Sequence, residues 1–555
     1  MRRTLALLLL LAPAAVSARP VVPPPPGTES ALHGYVLGRF AAADDALDRA
    51  TRYFDEARAA DPGQPELTRR TFDLAVASGD RPLATTIARQ IETAGAADSD
   101  VSLVLLADAV LRKDWAGADK ARAGLASAGY GVVVGPIVEA WTLFGRGKRD
   151  EGLAKLDPAA FSGFARSYIA EQRAHMLAAM KKWPEAAAAY AELRAGTGTG
   201  ISFLRQGEAD ALAQGGDKAG ALKLLAGDDA MVTTARAQLE RGKRIGALAP
   251  DPRHGIGWMA ARLATDLSRD KPVPLALLFA RVGSFLAPDM PATWLICGDV
   301  LARSGQRGPA LDAYAMIAAD DPLAAAAQAR RAEVLEAMGR AGDAGALLAA
   351  ATTAAEAGSD DWTRLGDWHR RAERFPDAIT AYSKAIAVAG ADASWGLYFL
   401  RGSMNERGGN WPAAEADLRE ALRRSPDEPI VLNYLGYSLL DRGGDQDMAA
   451  TMIEQAARLR PGDGGIIDSL GWSQYRRGRY AEAVTTLEKA NKLEPTDATV
   501  TGHLGDAYWQ VGRRIDAKFM WRAALDLDPD AKERAALTAK LDYGLDAAVA
   551  MASAK

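Results

Sequence analysis

Small residues return every 34 positions along much of the chain, and a period of this length limits the fold to repeated supersecondary units. The in-phase positions are Ala50, Ala84, Ala118, Gly152, Ala186 and Gly220, then Ala310, Ala344 and Ala378, then Ala414, Ala449, Ala483 and Ala517. The phase slips between these series and then resumes, which gives about 14 units. The 555 residues are therefore better described as an array of repeats than as several globular domains.

Three other residue types occur at fixed distances from the small residue. In many units a glycine lies 12 positions before it, as at Gly38 and Gly505. An aromatic or large aliphatic residue follows it by four positions, as at Phe54 and Trp521, and a proline often follows by 12, as at Pro529. Small residues allow two helices to approach closely, a spacing of four stays on one helical face, and proline ends a helix. Each unit is therefore predicted to be a pair of antiparallel helices.

The complete pattern is clearest in the last two units. Its residues there are Ile467, Leu470, Gly471, Ala483, Leu487, Ala490 and Pro495, then Leu504, Gly505, Tyr508, Ala517, Trp521, Ala524 and Pro529. This pattern resembles the tetratricopeptide repeat (TPR). The resemblance implies an all-α, superhelical solenoid of about 14 TPR helix hairpins with a C-terminal capping helix.

The first residues have the pattern of a secretory signal peptide. Arg2 and Arg3 precede an apolar run at 5–16, and small residues surround a predicted cleavage site after Ala18. This run is shorter than the ~20 residues that a helix needs to cross the hydrocarbon layer. Export to the periplasm with cleavage is therefore predicted, with peripheral attachment to the outer membrane only through partners. Cytoplasmic residence with an uncleaved helix is the alternative, and a mature N-terminus at Arg19 would exclude it.

Departures from the period divide the chain into segments. One extra helix and a proline-containing turn interrupt the repeats after residue 234, and a charged, alanine-rich run follows the last repeat. The predicted segments are a signal peptide (1–18), a proline-rich tether (19–29), degenerate TPR-like repeats (30–234), an irregular joint (235–256), TPR repeats (257–529), and a capping helix with a tail (530–555).

Charge and residue spacing argue against catalysis, metal binding and nucleic-acid binding. The formal net charge is −4, which provides no basic field for nucleic acid. The five histidines lie in different units without the close spacing of a metal site, and the single Cys297 falls at a core position. Because hairpins occupy the chain from about 30 to 530, no segment remains for a catalytic domain. We therefore expect no enzyme activity, no cofactor and no metal.

The first helices of the last three units place polar groups beside aromatic side chains at helical spacing. First helices line the concave surface of a repeat superhelix, where aromatic residues supply contact area and polar groups fix the register of a bound peptide. The alternative is that these side chains pack between repeats or satisfy neighbouring backbone groups. The candidate protein-binding residues are Asn433, Tyr437, Asp468, Trp472, Tyr475, Arg476, His503, Asp506, Trp509 and Gln510.

Two segments carry a more specific resemblance, at residues 468–472 and 503–506, followed by Trp509. They are similar to the C-terminal signature of exported TPR proteins of Gram-negative bacteria, one of which is an adaptor that binds a carboxyl-terminal processing protease and presents cell-wall hydrolases to it. The resemblance implies a non-catalytic periplasmic scaffold whose partners are proteins or peptides, among them such a protease and its substrates. That adaptor is a lipoprotein, whereas no cysteine follows the apolar run here, so neither a lipid anchor nor a membrane span is implied.

Two other functions remain open at the level of sequence. The chain could be an assembly factor for an envelope machine such as a pilus or a secretion system. More remotely, it could be the regulatory arm of an enzyme. The repeats leave undetermined the identity of the partners, the oligomeric state, and whether the groove binds peptides or folded domains.

Overall fold

The computed structural model describes residues 28–126, 128–196, 201–227, 229–269, 273–353 and 357–553. The predicted signal peptide and nearly all of the predicted tether lie outside these residues. Regular structure in the described residues is helical, and it divides into two compact units at 1–344 and 345–555. Each unit is described separately below.

The first unit contains the first 18 helices. They are α1 (Thr28–Ala43), α2 (Leu47–Ala60), α3 (Pro65–Ser78), α4 (Arg81–Thr93), α5 (Ser99–Leu111), α6 (Trp115–Ala123), α7 (Gly131–Gly145), α8 (Arg149–Ala154), α9 (Gly163–Ala179), α10 (Trp183–Gly196), α11 (Ile201–Gln214), α12 (Lys218–Leu224), α13 (Ala230–Glu240), α14 (Pro252–Leu267), α15 (Pro274–Leu286), α16 (Pro291–Arg303), α17 (Arg307–Ala315) and α18 (Ala324–Ala337). A short 3₁₀ turn, Pro158–Ala160, precedes α9.

The boundary between the units falls within α19 (Ala341–Ala351). The second unit continues with α20 (Ser359–Arg371), α21 (Phe375–Ala389), α22 (Trp395–Arg407), α23 (Trp411–Arg424), α24 (Pro429–Asp441), α25 (Gln446–Leu459), α26 (Gly464–Arg476), α27 (Tyr480–Leu493), α28 (Ala498–Gln510), α29 (Arg514–Asp526), α30 (Ala531–Tyr543) and α31 (Leu545–Ser553). A second 3₁₀ turn, Gly390–Asp392, follows α21.

Most helices alternate as the first and second members of hairpins. Apart from α13, α30 and α31, the helices among the described residues follow one another in chain order as first and second members of hairpins, and 13 of these successive pairs are in contact. This confirms the predicted all-α, helix-hairpin fold. Residues 241–251, within the predicted joint, connect α13 to α14 without regular structure.

Contacts inside the hairpins explain the period. A Cβ atom added to Gly298 would lie 2.4 Å from the Tyr314 ring, and one added to Gly505 would lie 2.5 Å from Trp521. The in-phase Ala517 is 0% exposed. The glycine on the first helix therefore leaves room for the aromatic side chain of the second helix. The small residue on the second helix allows the two backbones to approach closely.

The predicted capping helix is two helices, α30 and α31, separated at Gly544. The φ angle of Gly544 is +83°, which favours glycine, and an added Cβ would lie 2.7 Å from the Trp509 ring. Leu537 and Leu545 pack with Trp509 and Trp521 in one apolar cluster. The turn at Gly544 thus allows both helices to pack on the last apolar face of the solenoid.

In the first unit, the hairpin formed by α14 and α15 lies against the first helices of the preceding hairpins. α14 contacts α5, α7 and α9, and α15 contacts α3 and α5. Ten of the 13 residues of α15 are buried. Much of the inner face of these hairpins is thus part of the core.

Polar groups fix this hairpin in place. The Trp258 indole N–H donates to Glu171 at 2.7 Å, and the Tyr168 hydroxyl donates to Asp266 at 2.5 Å. Arg281, which is 4% exposed, donates to the backbone carbonyl of Ala77 at 2.6 Å. Because buried polar groups are costly without partners, these bonds specify one position for α14 and α15 on the inner face.

Candidate binding site

The ten candidate residues lie on α24, α26 and α28, the first helices of three successive hairpins. α24 contacts α26, and α26 contacts α28, so these helices form a continuous inner face in the second unit. Pro429 begins α24, while the carboxylates of Asp463 and Asp497 accept hydrogen bonds from the backbone N–H groups of Ile466 and Val500 at the starts of α26 and α28. These local signals fix where each helix begins and hence which side chains face inward.

An aromatic stack occupies the middle of this face. The Trp472 ring stacks on Tyr475 with centroids 4.6 Å apart and on His503 with centroids 4.0 Å apart. The Nδ1 atom of His503 lies 2.9 Å from a carboxylate oxygen of Asp468. Burial favours the neutral ring, but the negative charge of Asp468 and its hydrogen bond raise the pKa of His503. The stack joins two repeats, and these contacts use much of the indole surface of Trp472.

Asp506 and Trp509 lie in the packing between the last hairpin and its cap. Asp506 is 4% exposed and accepts hydrogen bonds from the Trp521 indole and from Lys540, both at 2.8 Å. Trp509 is 9% exposed and donates to Asp546 at 3.2 Å. Both side chains thus contact the protein itself and present little surface to a partner.

The other candidates differ in exposure. Gln510 donates to the Tyr475 hydroxyl at 3.4 Å, and both residues are partly buried. Burial raises the pKa of Tyr475 to about 12. Arg476 is exposed at the end of α26. Gln510 and Arg476 thus lie beside the aromatic stack, of which Tyr475 is a member.

Asn433, Tyr437 and Asp468 line an open cavity of about 400 Å³ between α24, α26 and the start of α28. The side-chain oxygen of Asn433 is buried and accepts no hydrogen bond from the described residues. Burial and the charge of Asp468 raise the pKa of Tyr437 to about 12, so its hydroxyl stays protonated. The cavity therefore offers a ligand a hydroxyl donor from α24, one turn after the buried Asn433 oxygen.

Carboxylates outnumber cations around this cavity. Glu406 accepts a hydrogen bond from Arg442 at 2.6 Å, and Asp468 is paired with His503. Asp441 is exposed and forms no ion pair within the described residues. The spacing of Asn433, Tyr437 and Asp441 by four residues was the sequence signal for this surface, although only the first two were predicted. The cavity residues missing from the prediction include Glu406, Tyr434, Asp441, Arg442 and Asp497.

The described residues form no metal-ligand cluster of this type and contain no helix that could span a membrane. In the part of the chain that the structure describes, no group of histidine, cysteine, aspartate and glutamate side chains is arranged to hold a metal ion. No helix among the described residues has both the length and the apolar character needed to cross a bilayer.

Comparison with protein families supports the repeat assignment. Residues 363–429 and 406–464 match one tetratricopeptide-repeat model, and residues 474–541 match a second. The predicted tetratricopeptide repeats are confirmed in these ranges. No curated protein matches the chain.

Several solved structures resemble the chain at low identity. The APC/C hetero-tetramer Cut9–Hcn1 is 15% identical over 93% of this chain and 96% of that chain, with a TM-score of 0.38. Yeast Tom70 is 15% identical over 95% of this chain and 96% of that chain, with a TM-score of 0.35. YrrB, described as a TPR protein with an unusual peptide-binding site, is 18% identical over 34% of this chain and 95% of that chain, with a TM-score of 0.28.

Proposed function

We propose that the chain is an exported, non-catalytic scaffold that binds other proteins through the inner face of its second unit. The observation that carries this proposal is the open cavity between α24, α26 and α28. In the first unit, α14 and α15 lie against the first helices α3, α5, α7 and α9, so that part of its inner face is covered. Binding is therefore assigned to the second unit and not to the whole concave surface.

The chemistry of the cavity favours a cationic segment. Asp441 is unpaired within the described residues, and Asp497 also lines the cavity, so negative potential attracts lysine or arginine side chains. The Tyr437 hydroxyl can donate a hydrogen bond to a backbone carbonyl of a bound segment. An extended segment with one basic residue meets these requirements.

The scaffold acts by proximity. Two proteins held on one chain meet at an effective concentration on the order of millimolar, without any new chemistry. The resemblance of the last 130 or so residues to exported TPR adaptors supports a more specific proposal, in which one partner is a carboxyl-terminal processing protease and another is its cell-envelope substrate. Both roles require export, which a mature N-terminus at Arg19 would establish.

The test is affinity purification of the tagged chain after chemical cross-linking in cells, followed by mass spectrometry. The informative variant is Asn433→Ala combined with Asp441→Lys, because both side chains line the cavity and neither supports the aromatic stack. Asp392→Lys is the control, since it makes the same charge change at an exposed site outside the cavity.

Partners recovered with the wild type and with Asp392→Lys, but not with the double variant, are the expected result. Equal recovery with all three baits would remove the cavity from the proposal. Recovery of pilus or secretion components in place of a processing protease would replace the adaptor role with envelope assembly.

A further inference from the structure

The outer face of α29 exposes two large apolar side chains. Ile515 is 87% exposed and Phe519 is 68% exposed, and their spacing of four residues places them on one side of the helix. Only three of the 13 residues of α29, Ala517, Trp521 and Ala524, are buried. The inner side of this helix therefore packs its hairpin, while its outer side presents apolar surface to solvent.

This surface is absent from the preceding hairpins. Ile515 and Phe519 lie two residues before and two residues after the in-phase alanine. The residues at the same positions of α25 and α27 are Asp447, Thr451, Ala481 and Thr485. The fold thus accepts small or polar residues here, and the two large apolar side chains meet no packing requirement of the repeat.

Three positively charged side chains lie beside the two exposed apolar residues of α29. Arg514, Lys518 and Arg522 are spaced by four residues, are exposed, and form no ion pair within the described residues. The Arg514 guanidinium lies 4.1 Å from the centre of the Trp509 ring. The outer face of α29 therefore combines an apolar stripe with a parallel stripe of positive charge that the protein leaves unneutralised.

We propose that this face of α29, comprising Arg514, Ile515, Lys518, Phe519 and Arg522, docks on the surface of an anionic lipid membrane. Apolar side chains on the outer side of a helix can enter the boundary between headgroups and acyl chains, where adjacent cations meet anionic headgroups. A bilayer surface also accepts projecting side chains without a preformed recess. The attachment is peripheral, and it is independent of the cavity between α24, α26 and α28.

The size of the effect follows from the charges. Each lysine or arginine close to an anionic surface strengthens binding about fivefold, and the gain falls as salt rises. Two charge reversals, Lys518→Glu with Arg522→Glu, should weaken binding by more than about 25-fold. Ile515→Ala with Phe519→Ala should weaken it by at least about tenfold, because the apolar insertion is lost.

The first experiment is co-sedimentation of the full chain with vesicles of phosphatidylcholine alone or with added phosphatidylglycerol. The matched control for the charge reversals is Lys489→Glu with Lys492→Glu, which alters two exposed lysines of α27 by the same total charge. We expect binding to the anionic vesicles only, retained by the control pair and lost by both α29 pairs. Equal losses in the control and the α29 charge pair, or no effect of Ile515→Ala with Phe519→Ala, would overturn the proposal.

A second measurement locates the contact. Cys297 is 0% exposed, so an added cysteine can be labelled alone with a polarity-sensitive fluorophore. A label at Ile515→Cys should become more emissive with anionic vesicles, whereas one at the equivalent Ala481→Cys should not. The same response at both positions would contradict the proposal. A lipid-free dimer that Ile515→Ala with Phe519→Ala dissociates, or capture of an acidic peptide without vesicle binding, would also contradict it.

Discussion

At the scale of single residues, the repeat glycines set how closely two helices pack. In α28, a Cβ added to Gly505 would lie 2.5 Å from Trp521, whereas one added to Gly502 would be no nearer than 3.4 Å to Leu537. Alanine in a helix stabilises by about 0.5–1 kcal/mol relative to glycine, but overpacking costs about 1–3 kcal/mol. Gly505→Ala should therefore speed hydrogen–deuterium exchange in α28 and α29, and Gly502→Ala should leave it unchanged or slower. Equal protection in both variants would show that Gly505 is not a packing requirement.

Asp506 shows what residue spacing could and could not predict. The sequence placed it in a binding groove because it shares a helical face with polar and aromatic residues. In the structure it accepts the hydrogen bond of Trp521, 15 residues later, as Asp299 does for Tyr314 and Asp367 does for Tyr382. An aspartate directly after the repeat glycine thus stabilises the hairpin by accepting a hydrogen bond from the aromatic side chain of the second helix. Helical spacing alone could not distinguish this role, because a first helix packs on more than one side.

At the scale of elements, the helix hairpin could be predicted because the residues that define it lie within one repeat. The C-terminal cap was predicted only in part, as one helix in place of two. The run after Pro529 is rich in alanine and charged residues, and the sequence predicted one helix through Gly544. In the structure Gly544 has a φ of +83° and lies close to Trp509, more than 30 residues earlier. A glycine inside a helical pattern was the available signal for a break, but the packing against Trp509 could not be predicted from local propensity.

The C-terminal cap should stabilise the last hairpin, α28 and α29, and have little effect on hairpins further from it. Leu537 on α30 is 2% exposed and packs in the cluster of Trp509 and Trp521, so Leu537→Ala should cost about 2–5 kcal/mol locally. Exchange should become faster in α28, α29 and α30, while α20 to α23 keep their protection, because a solenoid transmits stability between neighbours. Tyr543→Ala is the control, since Tyr543 lies on the same helix and is 62% exposed. Unchanged exchange in α28 would contradict a stabilising cap.

At the scale of the whole molecule, the period predicted how many hairpins the chain makes but not which inner faces stay open. Placement of α14 and α15 on the earlier hairpins depends on contacts between residues up to about 200 positions apart, such as Arg281 with Ala77. One signal was available, because α15 is apolar on nearly all sides and such helices are usually buried. The sequence of α15 alone does not show which surface of the protein covers this helix. The sequence therefore predicted a groove on the first helices of the last three units without showing what covers the earlier ones, and the structure has an open cavity between α24, α26 and α28.

This difference between the two inner faces predicts the effect of Trp258→Ala. Trp258 is 2% exposed, packs at a tilt against Phe203 with centroids 4.9 Å apart, and donates to Glu171. Its loss should cost about 3–5 kcal/mol and leave the partly buried Glu171 carboxylate with one donor fewer, so exchange should accelerate in α9, α11 and α14. Exchange in α24 to α28 and the recovery of cross-linked partners should not change. Phe519→Ala, which removes an exposed aromatic ring, is the control and should leave exchange in α9 as it is.

Two results would contradict this account of the molecule. Unchanged exchange in α9 after Trp258→Ala would mean that α14 and α15 do not form the core of the first unit. Loss of partners with exchange in α24 to α28 intact would mean that the first unit contributes to binding even though its inner face is covered. If neither occurs, the inner face of the N-terminal hairpins packs against α14 and α15 of the same chain, whereas the C-terminal hairpins bind the partner protein. Both sets of hairpins are built from the same repeat. The two functions would then be separated by what fills the groove and not by the fold.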